Sequence, residues 1–169
     1  MKDHYDIAVV GAGPAGMAAA TVASEQGASV LLLDELPEAG GQIYRAVARQ
    51  PIKDQKILGD DYYQGRSLVE VLANSSVEYV GGATVWQVSQ EKEIGVSKDG
   101  VARLLTADQV ILATGAQERP FPVPGWTLPG VMTVGGAQVL LKSSGMAVPD
   151  AVFAGTGPLL YLVAYQYLK

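Results

Sequence analysis

Apolar residues along the chain fall into two periodicities. Two short unbroken runs, Ile7–Val10 and Val30–Leu33, are bounded by a glycine and by an acid. Runs of that length predict strands buried on both faces. Between them Ala18, Ala19, Ala20 and Ala23 follow Pro14 and stop at Gly27, which predicts a closely packed helix. Residues 60–73, with Leu68, Val69, Val71 and Leu72, predict an amphipathic helix, and "VEYV" after it a third strand. Three alternating segments come next: "ATVWQVSQ", "EIGVSKDG" and "VARLLTA". Asp99-Gly100 supplies a tight turn between the last two, so together they predict an antiparallel meander. "DQVILATGA" then predicts one more buried strand, ending at Ala113-Thr114-Gly115.

The alternation of strand and helix predicts an α/β fold: a mostly parallel sheet with helices on both sides, plus a three-stranded antiparallel meander near residues 83–106. After residue 115 the texture changes. Prolines at 120, 122, 124 and 129 predict a stiff extended crossing. Trp126 within it would cover an apolar edge or stand near a ligand. "VMTVGGAQVLLKSSG" predicts a glycine break and a short helix. The closing "AVFAGTGPLLYLVAYQYLK" predicts a strand, a glycine turn and a helix that is apolar on most faces. The expected organisation is therefore a nucleotide-binding domain over 1–115, a linker with a short helix over 116–150, and the start of an incomplete second unit over 151–169.

Composition narrows the function. Twelve Lys+Arg against 17 Asp+Glu give a net charge of −5 without a basic cluster, which argues against nucleic acid as a partner. No apolar run has the length of a membrane span, and "MKDHYD" lacks the pattern of a signal peptide, so the expected location is the cytoplasm. There is no cysteine, hence no thiol nucleophile, disulfide or cysteine-ligated cluster within these residues. One histidine, His4, is too few for a histidine metal site, and no metal is expected.

The chemistry sits at the end of the first run. Gly11-Ala12-Gly13-Pro14-Ala15-Gly16 matches G-x-G-x-x-G between a strand and a helix. Gly11 allows the turn, Gly13 lets the backbone approach a pyrophosphate, and Gly16 lets helix and strand pack closely. The helix starting near Pro14 points its first N–H groups at that pyrophosphate. Asp34 lies 23 positions after Gly11, where an acid would hold ribose hydroxyls, and the adjacent Glu35 could share or take that role. In "LPEAGGQIYRA", Gly40-Gly41 suits a second close approach to a ligand. Arg45 is either a partner for a phosphate or an acid, or a solvated surface arginine.

These features resemble the flavoproteins with two dinucleotide-binding domains, the group of glutathione reductase and thioredoxin reductase. The resemblance rests on "GAGPAG", the acid, the meander and the returning "ATG" in that order. "GGQIYR", "LGDDYYQGRSL", "ATGAQERPFPVPGWTLPGVMTVGGAQVLLKSSG" and "GTGPLLYLVA" are more closely similar to the FAD/NAD-binding subunits of bacterial amine-oxidising dehydrogenases. Those include opine oxidase, sarcosine oxidase alpha, dye-linked proline dehydrogenase and hydrogen cyanide synthase. The resemblance implies FAD as cofactor, held by Gly11, Gly13, Pro14, Ala15, Gly16, Asp34, Glu35, Gly41, Gln42, Ala113, Thr114 and Gly115. It implies oxidation of a secondary amine or amino acid, usually with a partner subunit. It names no catalytic side chain and no substrate here.

The resemblance also implies that 169 residues are the N-terminal part of a longer fold whose later residues complete the FAD domain. Gly155 and Gly157 match the first two glycines of a second fingerprint, but Leu160 stands at the third, and no second strand or ribose acid follows. NAD(P) binding by this segment is therefore not expected. The unpaired "AVFAG" and its helix are expected to fold onto the first sheet or to associate with a second copy. Two alternatives stay open. One is a truncated FAD- or ADP-binding module without turnover, and the other a general NAD(P)H-dependent flavoprotein reductase.

Overall fold

The computed structural model describes residues 1–169. Its centre is a six-stranded sheet in the order β3-β2-β1-β6-β5-β4. The strands are β1 (His4–Val10), β2 (Val30–Asp34), β3 (Glu78–Gly81), β4 (Ala83–Val88), β5 (Glu93–Lys98) and β6 (Val101–Leu112). β1 pairs in parallel with β2 and β6, and β2 with β3. β4, β5 and β6 form the antiparallel meander. The β5–β6 turn uses Asp99 and Gly100, both at positive φ (50° and 78°), as a two-residue hairpin needs. A register shift between Val85 and Gln87 marks a bulge in β4, and the Trp86 ring lies against Gly95, where a Cβ would meet it at 2.6 Å.

Helices α1 (Pro14–Glu25) and α3 (Gly65–Ala73) cover one face of the parallel strands. Val9, Met17, Ala20, Leu32 and Leu72 form the core there. The other face carries Tyr5, Leu31 and Leu33 against Ile94, Val96 and Leu105. The sheet is covered on both sides as expected, but by different means: helices take one face and the curled meander takes the other. α1 ends as the sequence predicts, with Gly27 at φ 89° and Ala28 N–H returning to the Ala23 carbonyl.

Three expectations are corrected. The last strand of the meander and the "DQVIL" strand are one continuous β6 of 12 residues, because no glycine or proline interrupts 101–112. It pairs antiparallel with β5 over 101–106 and parallel with β1 over 106–112. Its second half lacks a neighbour on the β5 side, so it is not a buried strand, and Leu112 is 64% exposed. The helix expected over 60–73 is broken into α2 (Asp60–Tyr63) and α3, with Gln64 between them. At the break the Tyr44 ring occupies the place a Cβ on Gly65 would take, 2.2 Å away.

The third correction concerns the end of the chain. "AVFAG" forms no strand, since every strand of the sheet is drawn from residues before 113, and Val152 is 92% exposed. α5 (Pro158–Tyr167) does not lie on the sheet. It packs on α4 (Val134–Ser144): Val163 is fully buried, Phe153 stacks edge-on against Tyr167, and Gln138 Nε2 donates to Gln166 Oε1. Together α4 and α5 close over the segment 47–62, where Val47, Leu58, Tyr62 and Leu141 form a small core with Tyr167 at its edge.

Candidate functional site

The strand-to-helix turn at 11–16 is fixed by backbone contacts that only glycine permits. Gly11 has φ 104°, and a Cβ there would lie 2.3 Å from the Ala113 carbonyl oxygen. A Cβ on Gly16 would lie 1.8 Å from the Gly11 carbonyl oxygen. Neither glycine faces open space, so both serve to bring α1 and β6 against β1. Gly13 is different: its Cβ would meet nothing nearer than the Gly41 Cα at 4.0 Å. Met17 N–H is bonded to the Gly13 carbonyl, which leaves the N–H groups of Ala15 and Gly16 unpaired at the head of α1. Pro14 fills the first helical position, where a missing N–H costs nothing.

Ala12, fully buried, ties this turn to two others. Its N–H donates to Asp34 Oδ2 at 2.5 Å, and its carbonyl accepts from Gly40 N–H at 2.8 Å. Asp34 Oδ1 accepts from Leu36 N–H at 2.8 Å. Each carboxylate oxygen keeps one further acceptor position, so Asp34 can hold the turn and still take ribose hydroxyls. Glu35 is exposed and takes no part in this network. Gly41, at φ 61°, lies directly against Gly13; a Cβ on it would be 2.7 Å from the Gly13 Cα. Ala113 N–H donates to the Val10 carbonyl, which seats Ala113-Thr114 beside Gly11, and Gly115 turns the chain away at φ 73°. Glycine turn, acid, Gly40-Gly41 loop and "ATG" end thus converge at one end of β1, β2 and β6. Tyr79 borders the acid: burial and the nearby charges of Asp34 and Glu38 push its hydroxyl up to about 12.

The space beside Gly13, the free N–H groups of α1 and the acceptor capacity of Asp34 fit the ADP half of a dinucleotide. Gln42 is exposed at the edge of this region, and its Oε1 accepts from Arg45 Nη2 at 3.1 Å.

One residue of the region has no readable signal in the sequence. Lys142 on α4 is only 5% exposed. Its Nζ donates to the carbonyls of Gln42 (3.1 Å) and Ile43 (2.9 Å) and stands over the Tyr62 ring. Burial, and secondarily the Arg45 guanidinium, bring its ammonium down to about 8. In sequence it is one lysine in the last turn of an apolar helix, and its two acceptors are about a hundred residues away.

A mixed sheet with this glycine turn, an acid at the end of β2 and a meander cover defines a dinucleotide-binding fold of the oxidoreductases. The chain belongs to the pyridine nucleotide-disulphide oxidoreductase family, which matches it over residues 5–148. It is 50% identical over 175 residues to an opine oxidase subunit of Agrobacterium tumefaciens (strain Ach5), covering 98% of this chain and 35% of that protein. It is 39% identical over 171 residues to hydrogen cyanide synthase subunit HcnB of Pseudomonas protegens, covering 94% of this chain and 34% of that one. The fold matches L-proline dehydrogenase from P. horikoshii with a TM-score of 0.70 at 24% identity, over 85% of this chain and 29% of that one. The chain spans about a third of the length of these relatives. No helix is long and apolar enough to cross a membrane.

Proposed function

We propose that this chain is the FAD-binding part of an oxidoreductase that oxidises a secondary amine or amino acid. The observation that carries the reading is the 50% identity to one of the subunits of opine oxidase, which extends over nearly the whole chain. FAD bound at the glycine turn would take up the two electrons and the hydrogen removed from the substrate C–N unit. Gly13 and the N–H groups of Ala15 and Gly16 would face the pyrophosphate, with Gly41 and Gln42 beside it. Asp34 would hold the ribose, with Glu35 at the solvent side. Ala113, Thr114 and Gly115 would border the cofactor. The segment 1–115 would be the cofactor domain, 116–150 its linker, and 151–169 the beginning of a second dinucleotide unit that does not itself bind NAD(P).

A partner is part of this reading, since the relatives named above are themselves subunits. The partner would be a second polypeptide, or a second copy meeting residues 151–169, and the cytoplasm its location. With no cysteine among these 169 residues, this segment's contribution would be to bind and orient the cofactor.

The test is a visible spectrum of the purified chain after incubation with FAD and removal of the excess. A flavin band at near-equimolar occupancy supports the reading. Protein that stays colourless leaves a binding module for ADP or for nothing, and binding of NADH without flavin points to a reductase instead.

A further inference from the structure

Two cations stand without an acidic partner beside the glycine loops. The ion pairs of the chain are Met1–Glu78, His4–Asp108 and Arg49–Glu38, and neither Arg45 nor Lys142 belongs to any of them. Lys142 gives two of its three donors to neutral carbonyls and stands over the Tyr62 ring, which leaves its charge without an acidic partner. Arg45 is less complete. Nη2 reaches Gln42 Oε1, while Nε is buried and finds no acceptor. A guanidinium with a free, desolvated N–H next to a second cation is matched by an oxyanion.

The backbone beneath Arg45 is held firmly. Its carbonyl accepts from the Tyr62 hydroxyl at 2.6 Å, Tyr44 before it is wedged on Gly65, and Ala46 after it is buried in the left-handed region at φ 57°. The same turn begins at Gly40-Gly41, which touches Gly13. Arg45 is therefore presented from a rigid turn that starts at the dinucleotide site.

We propose that Arg45, with the charge of Lys142 behind it, binds an oxyanion, a phosphate or a carboxylate, at the end of the Gly40–Arg45 turn. The oxyanion is either a phosphate of the dinucleotide or a separate small anion such as the carboxylate of an amino acid. The site does not require that FAD be the cofactor.

Calorimetric titration of the chain with pyrophosphate, and separately with L-proline, tests this. Arg45→Gln is expected to weaken binding of at least one probe by tenfold or more. Arg45→Lys, which keeps the charge and loses the fork, weakens the same probe by less. If neither probe binds the unsubstituted chain, or if both variants bind as it does, the proposal is overturned. Should Arg45→Gln lack a native circular-dichroism spectrum, unchanged affinity in Arg45→Lys overturns it alone. Repeating the titration in saturating ADP identifies the source: heat that vanishes assigns the anion to the dinucleotide, and heat that persists assigns it to a separate molecule. Flavin uptake is recorded on the same preparation. A chain that refuses FAD yet binds pyrophosphate through Arg45 keeps this proposal and loses the cofactor reading.

Discussion

Asp34 Oδ2 accepts the Ala12 amide at 2.5 Å, so the acid at the end of β2 holds the glycine turn that follows β1. Its other oxygen holds Leu36 N–H at the head of the next loop. Asp34→Ala leaves the amide of the buried Ala12 and that of the half-buried Leu36 without acceptors. The expected loss is about 2–3 kcal/mol in the absence of any ligand, read as a lower urea midpoint. FAD uptake should fall at least tenfold further than the loss of fold explains. If stability does not change, the carboxylate has no structural role in the turn.

The second and third glycines of the fingerprint predict opposite phenotypes. A Cβ at Gly16 meets a carbonyl oxygen at 1.8 Å that belongs to backbone and cannot swing away. Gly16→Ala should cost about 3 kcal/mol or more, or prevent folding. A Cβ at Gly13 meets nothing closer than 4.0 Å. Gly13→Ala should melt within a few degrees of the parent, with a cost of about 1 kcal/mol or less, and yet fail to take up FAD, because its methyl group occupies the space at the head of α1. Equal stability of the two variants contradicts this division.

Lys142 makes stability depend on pH. The folded chain releases its proton at about 8, against an ordinary value of 10.5. Between those values the unfolded chain binds more protons, so stability rises as pH rises. From pH 8 to 10 the gain should be about 2 kcal/mol in urea unfolding. Lys142→Met should flatten this rise. Tyr5 and Tyr79, both held up to about 12, and Tyr62 and Tyr63, also raised by burial, work in the opposite direction from about pH 9 upward, where the folded chain keeps protons the unfolded chain loses. The maximum therefore falls between about pH 9 and 10, and a curve that declines steadily from pH 8 would refute the assignment.

Val163, on α5 and fully buried, reports whether the end of the chain docks on the body of the fold. Val163→Ala should lower stability by about 1–2 kcal/mol for two lost methyl groups. It should also loosen 158–167 in hydrogen exchange. Fast exchange of that segment in the unsubstituted chain would sink the docked arrangement.

Much of the fold was legible because its signals are local. The runs before Gly11 and Asp34, the proline and glycine bounding α1, and the Asp99-Gly100 turn each specify a conformation within a few residues. Errors came where a local signal was missing or borrowed. Nothing in 101–112 says where one strand would stop, and the continuous β6 follows from that silence. "AVFAG" looks like a strand by composition, but a strand exists only beside a neighbour, and none is available to it. At the site, the sequence put Asp34 first and left Glu35 able to share or take its role; burial and two backbone amides distinguish them in the structure.

The sequence by itself determined the glycine turn, the helix behind it and the acid 23 residues on, since backbone sterics and hydrogen-bond reach act over short spans. Tertiary structure alone decided that Gly11 packs on the Ala113 carbonyl and that Gly41 lies against Gly13, because Ala113 and Gly41 arrive from elsewhere in the chain. It also decided that Lys142 is buried against the carbonyls of Gln42 and Ile43 and that Arg45 lacks an acid. Charges separated by about a hundred residues acquire an environment only when the chain has folded.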